Sequence, residues 1–322
     1  MNSGEPTASW DTLQQRASIL RTIRAFFDDR GYTEVHTPLL SHDIVVDAHL
    51  DPFSLDTEYG RLFLQTSPEF AMKRLLVSGA DAIYQICHAF RRGEVGSKHN
   101  PEFCMLEWYR VGATYHDQMT FTENLARSVF AKRIELPADP FVRTTYDDAF
   151  ERATGQRVLH QDTDSLAAFA ATLLSVPDAV DCSNRDDILN LLLAEVVEPT
   201  LGSEQPEFLY DYPASQSALA KFRNDDPPVA ERFELYFRGV ELCNGYQELT
   251  DADELRRRNQ TQNELRVARG EQALPETSQL LDAMDAGLPE SSGVALGVDR
   301  LVAIALGIER IDQVWPFPID IA

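Results

Sequence analysis

Three clusters in the chain have the residue types and spacing for chemistry. The first is FRRGEVGSKHNPEF, residues 90–103, a run with three cationic side chains, a histidine and an Asn-Pro turn. Arg91 closes an apolar stretch, where a planar guanidinium held on a rigid element can grip a phosphate through two parallel hydrogen bonds. His99 can donate to a terminal phosphate, and the Phe103 ring offers a stacking face for a nucleobase. Taken alone, the same run also suits a solvated loop, and Phe103 a core position. The second cluster, GVELCNGYQELTD at 239–251, sets Glu241, Asn244 and Glu248 around an Asn-Gly pair. Two carboxylates and an amide are hard oxygen ligands of the kind Mg²⁺ takes beside water and substrate phosphates. Asn-Gly equally signals a hairpin whose charged residues face water. The third, SSGVALGVDRLVAIALG at 291–307, has small residues that let a backbone approach a ligand closely, then Arg300 entering a helix, where it can meet a triphosphate. Packing of a helix on a sheet explains these glycines as well.

The elements that would position these clusters follow from hydrophobic periodicity. Residues 11–30 place Leu13, Ala17, Leu20, Ile23 and Phe27 on one helical face, with Asp11 or Thr12 as N-cap and Gly31 as the stop. YTEVHTPLL predicts a short strand running into Pro38, and RLFLQTSPEFAMKRLLVSG a strand that turns at Ser67-Pro68 into a helix. DAIYQICHAF and CMLEWYR have strand composition on either side of the cationic run. Between about 115 and 205, TFTENLARSVFAKR, TDSLAAFAATLLSV and RDDILNLLLAEVVEPTLG are helical patterns that predict an insertion. Strand signals return in EFLYDYPA, ERFELYFRGVELCNGYQEL and GVALG, split by a polar helix over about 251–270, and DRLVAIALG closes the chain with a helix. The expectation is one α+β domain over 1–322 carrying a helical insertion.

Composition narrows the partners. Lys+Arg 29 against Asp+Glu 52 gives a net charge of -23, a field that repels polyanions at long range and argues against broad nucleic-acid contact. The four cysteines, Cys87, Cys104, Cys182 and Cys243, contain no C-x-x-C pair, which suits a reducing, cytoplasmic setting. No signal-peptide pattern opens the chain and no apolar run is long enough for a membrane span.

In this order, the three clusters resemble the signature motifs of class II aminoacyl-tRNA synthetases. Within that class TSPE (66–69), HNPEF (99–103), MLEWY (105–109), DYPASQSALAK (211–221) and ELCNGYQELTD (241–251) are similar to lysyl-tRNA synthetase. Only ten residues precede the first expected helix, so that family's anticodon-binding domain is not expected here. The short form resembles the paralogue family that attaches β-lysine to a lysine of elongation factor P. Ala295 stands where the synthetases have glycine, and the resemblance implies a pocket reshaped toward a β-amino acid. Motif 2 departs from the synthetase pattern: Gly93 shifts the acidic Glu94 by one position, and its role stays open.

The resemblance implies an antiparallel sheet flanked by helices, a homodimer, and ATP and Mg²⁺ as cofactors. It assigns Arg91 and Arg300 to catalysis and ATP, with His99, Asn100, Phe103, Glu241 and Asn244 also at the nucleotide. Glu241 and Glu248 would carry the metal. Ser67, Glu69, Glu107, Tyr109, Asn244, Glu248 and Ala295 would line the site for lysine or β-lysine, since a buried ammonium needs carboxylate partners. Elongation factor P is the implied acceptor, with no tRNA and no membrane. The rival readings are a truncated synthetase that acylates tRNA or another amine, and a non-catalytic amino-acid sensor.

Overall fold

The computed structural model describes residues 4–175 and 180–322. The chain divides into two compact units, one containing the residues up to Glu135 together with Glu248–Ala322, the other Leu136–Gln247.

The first unit opens with α1 (Trp10–Asp28), capped by Ser9, whose hydroxyl accepts the Thr12 N–H. The cap thus sits two residues before the earliest expected position, because the exposed Trp10 is already helical. Ile19, Ile23, Phe26 and Phe27 are buried. The expected strand over 32–40 is broken into β1 (Thr33–Glu34) and β2 (Leu40–Ser41), as the prolyl residue between them cannot donate to a ladder. β2 pairs with β4 (Gly60–Leu64), which also pairs with β3 (Ser54–Thr57), in a small antiparallel sheet. α2 (Glu69–Val77) begins directly after Pro68. β5 (Ala82–Phe90) and β6 (Glu102–Val111) form an antiparallel pair from Ala82 opposite Arg110 to Phe90 opposite Glu102. α3 (Tyr115–Phe130) follows, opened by a reciprocal Thr114–Asp117 capping box.

The second unit runs through β7 (Val142–Thr145), α4 (Tyr146–Thr154), α5 (Thr163–Leu173), α6 (Arg185–Leu192), β8 (Glu207–Pro213), β9 (Phe222–Arg223), β10 (Val229–Phe237) and β11 (Val240–Gln247). The last residue of the second helical pattern, Val176, lies outside the described residues. The unit's strands run β7-β8-β10-β11, with β9 also on β10; only β7 and β8 are parallel. Its core joins Tyr146, Phe150, Leu166, Ile188, Leu192, Leu209 and Tyr236. The helical stretch expected over about 115–205 is therefore divided: α3 belongs to the first unit and α4 to α6 to the second. The hairpin turn between β10 and β11 is Arg238-Gly239, both at positive φ, and Asn244-Gly245 lies inside β11. A two-residue turn with two left-handed residues matches the strand twist, so the Asn-Gly pair carries no turn here.

The chain returns to the first unit as α7 (Ala252–Ala268), α8 (Gln279–Asp285), β12 (Ser291–Gly297) and α9 (Val298–Leu306). β12 lies antiparallel to β6, and β1 parallel to β5, so this unit's strands run β1-β5-β6-β12. Phe27 stacks on Tyr84 at 4.4 Å between ring centroids, and Trp108 and Phe121 meet the same ring edge-on or tilted. This aromatic cluster fixes α1 and α3 on one face of the strands and leaves the other face for chemistry.

Candidate active site

Strand alternation builds the site. Along β6 the even residues Leu106 and Trp108 join the core, and Trp108 Nε1 donates to Gln118 Oε1 of α3 at 2.8 Å. The odd residues Phe103, Met105, Glu107 and Tyr109 take the opposite face by the period of two. β12 sets Gly293 opposite Tyr109 and Ala295 opposite Glu107, while β5 sets Gln85 opposite Glu107. Gly293 is required: a Cβ there would overlap the Tyr109 ring and sit 2.6 Å from Glu248 Oε1.

Glu107, 1% exposed, accepts from Tyr109 Oη at 2.6 Å and Ser67 Oγ at 2.7 Å. Ser67 Oγ in turn accepts the Glu69 N–H at 3.0 Å. Lys73, 2% exposed, lies one helical turn beyond Glu69; its Nζ stands 2.5 Å from Glu69 Oε1 and 2.5 Å from Glu248 Oε2. Glu248 is 1% exposed. Burial pushes the Glu107 carboxyl up to about 8, with Glu69 adding to the rise. Burial lifts Glu248 to about 7, opposed by Lys73 and assisted by Glu69. Burial alone would depress Lys73, but Glu248 and then Glu69 outweigh it and its pKa is raised. Tyr109 is raised well above its ordinary value by burial and by Glu107. Three carboxylates therefore surround one ammonium in a low-dielectric pocket, a surplus of negative charge that either holds protons or awaits a cation.

The other end of the site is cationic. The Arg91 guanidinium lies over the Phe103 ring at 5.0 Å, its Nη1 is 3.6 Å from Glu94, and its Nε is a buried donor with no hydrogen-bond partner. Glu94, whose role the sequence left open, is thus the ion-pair partner of Arg91. Arg300 Nη2 donates to His99 Nε2 at 2.7 Å, a contact that requires that nitrogen to be unprotonated. Burial first, and Arg300 second, hold the His99 pKa below its ordinary value. Asn100 differs from the expectation of a nucleotide contact: its Nδ2 donates to the Glu102 carbonyl at 2.6 Å and its Oδ1 accepts the Ile319 N–H at 3.1 Å, so its amide shapes the loop. Asp299, beside Arg300, is likewise structural, bonded to Arg16 and to the Cys104 N–H.

Glu241 and Asn244 lie on β11 of the second unit, Asn244 opposite Glu234, with Asn244 Oδ1 buried and unpartnered. Of the residues expected at the site, the first unit brings together Ser67, Glu69, Glu107, Tyr109 and Glu248 in one cluster and His99 and Arg300 in another, with Arg91 beside Phe103.

A family model described as tRNA synthetases class II (D, K and N) matches residues 6–321. The chain belongs to this family of ATP-dependent ligases. A protein of Edwardsiella ictaluri (strain 93-146) named Elongation factor P--(R)-beta-lysine ligase is 45% identical over 333 residues, which cover 99% of this chain and 98% of its own length. A protein of the same name from Salmonella arizonae is 43% identical, over 98% of this chain and 97% of its own. The class II ligase match spans both compact units. Sequence reasoning on this ligase missed Lys73, because a Glu-x-x-x-Lys spacing ordinarily marks an exposed helix pair. Its signal was the face it shares: Phe70, Lys73 and Leu76 are all buried residues of α2.

Proposed function

We propose that this ligase activates lysine, in the form (R)-β-lysine, as an acyl-adenylate and transfers it to the ε-amine of a lysine on elongation factor P. The observation that carries the reading is the carboxylate surplus of the pocket. Glu69 and Glu248 pair with the ammonium of Lys73, with Glu107 beside them, and a substrate with two ammonium groups supplies positive charge that would replace the protons burial favours on Glu107 and Glu248. Glu69 would take the amine nearer the carboxyl group, and Glu107, Tyr109 and Glu248 the distal one. Ala295, opposite Glu107, adds a methyl that fits a displaced amine. The names of the relatives agree with both the amino acid and the acceptor.

Arg91 would hold the α-phosphate and stabilise the charge that develops as the substrate carboxylate attacks in line. Phe103 and Arg300 would stack on adenine, and Arg300 and His99 would meet the γ-phosphate, a phosphate raising the His99 pKa that burial now lowers. Magnesium fits this donor set only in part. Glu248 is given to Lys73 and to a substrate ammonium in this reading, which leaves Glu241 as the carboxylate for a metal. No group of three or more His, Cys, Asp and Glu able to hold a metal occurs among the described residues, and an ion ligated chiefly by phosphate and water needs only one or two carboxylates. The net charge of -23 supports a protein acceptor over tRNA. A homodimer and a cytoplasmic setting belong to the same proposal; no helix of the described residues is long and apolar enough to cross a membrane.

Amino-acid-dependent exchange of pyrophosphate into ATP tests the activation step. Lysine or β-lysine should support exchange and norleucine, which lacks the distal ammonium, should not. Equal exchange with norleucine would remove the charge argument.

A further inference from the structure

The reading above assigns the three carboxylates to substrate and leaves Lys73 without a role. A fully buried lysine is costly unless its charge is compensated. This one bridges two carboxylates from separate elements, Glu69 at the start of α2 and Glu248 just before α7, each at 2.5 Å. The surrounding groups fix the geometry further. The Gly293 N–H is bonded to Glu248, and the missing Cβ of Gly293 leaves room for Glu248 Oε1 against the Tyr109 ring. Ser67 links Glu69 to Glu107.

Without Lys73, Glu69 and Glu248 would face each other across a dry pocket with no cation between them to set their spacing. With Lys73 in place both carboxylates are tied to one ammonium, each 2.5 Å from Nζ, and their remaining oxygens are presented to a substrate in a fixed arrangement.

We propose that Lys73 is a specificity-determining positioning residue: its ammonium bridges Glu69 and Glu248 and fixes their spacing and orientation, so that the pocket selects amino acids carrying two ammonium groups over those carrying one. The proposal rests on the assignment of this pocket to the substrate amines. The charged and titratable groups facing Lys73 are Glu69 on its own helix and Glu248, with Glu107 and Tyr109 of β6 behind them.

The test compares wild type, Lys73→Met and Lys73→Arg in pyrophosphate exchange with lysine and with 6-hydroxynorleucine, which replaces the distal ammonium by a hydroxyl. Lys73→Met should raise the KM for lysine by about tenfold or more and reduce the preference for lysine by a similar factor, with the KM for ATP moved less than about twofold. Lys73→Arg, which keeps the charge, should retain most of the preference. If Lys73→Met discriminates as well as wild type, the proposal is overturned while the pocket assignment stands; if wild type itself shows no preference for lysine, the assignment falls and takes the proposal with it. Should Lys73→Met not fold, Lys73→Gln takes its place: a reduced preference for lysine supports the proposal, and a preference equal to that of wild type overturns it.

Discussion

At the scale of single residues, the site is a division between a cationic and an anionic end. Replacing Arg91 by alanine should lower adenylate formation by about 10²–10³-fold, the usual cost of losing one donor to developing charge, and single-turnover formation of adenylate measures it. Glu107 governs a pH effect on the ligand-free protein. Its folded pKa, about 8, exceeds the ordinary value of 4.5, so between those limits the folded state holds a proton that the unfolded state has released. Stability should therefore fall as pH rises through that window, by up to about 1.4 kcal/mol per pH unit for one such proton. Glu107→Gln should flatten the slope in urea denaturation series from pH 5 to 8, and an unchanged slope would assign it to other groups. Glu107, within the Asp+Glu 52 of the chain, came only with the family resemblance, while Arg91, His99 and Arg300 were legible in the sequence because cationic types stand out in an acidic chain. The fate of Asn100 was not, since a side-chain amide serves a ligand or a backbone equally well and only the fold brings the Ile319 N–H to it.

At the scale of elements, period-two alternation in β6 separates a core face from a chemical one, and β12 completes the latter with residues small enough to leave space. Gly293→Ala should raise the KM for lysine by about tenfold and cost about 1–3 kcal/mol of stability through overpacking against Tyr109, while the KM for ATP stays within about twofold. Kinetics with each substrate at saturation of the other separate the two. Strands β5 and β6 were readable from their β-branched and aromatic residues, and β12, with Val294 alone of that kind, from its short apolar run. The turn in the second unit was misread because Arg238-Gly239, with arginine at positive φ, lacks the composition of a hairpin turn, whereas Asn244-Gly245 has it. The cap of α1 was misplaced for a related reason: the pattern of apolar residues starts at Leu13, but Ser9 is the residue able to accept the free N–H groups.

At the scale of the whole molecule, the hidden quantity was how the chain groups its elements. Helical periodicity in α3 looks the same as in α4 to α6, and only the contacts of α3 with α1 and β12 place it in the first unit. Net charge, by contrast, is visible at once, and its argument concerns the acceptor. An acidic ligase that modifies a protein should tolerate added tRNA without loss of turnover, whereas one that charges tRNA should be saturated by it. The most direct test of the account is the intact mass of elongation factor P from the same source after incubation with the ligase, ATP, Mg²⁺ and (R)-β-lysine, with α-lysine and lysine tRNA in parallel. The account predicts a gain of one β-lysyl group on the factor. No gain on the factor, with aminoacylated tRNA formed instead, would contradict it.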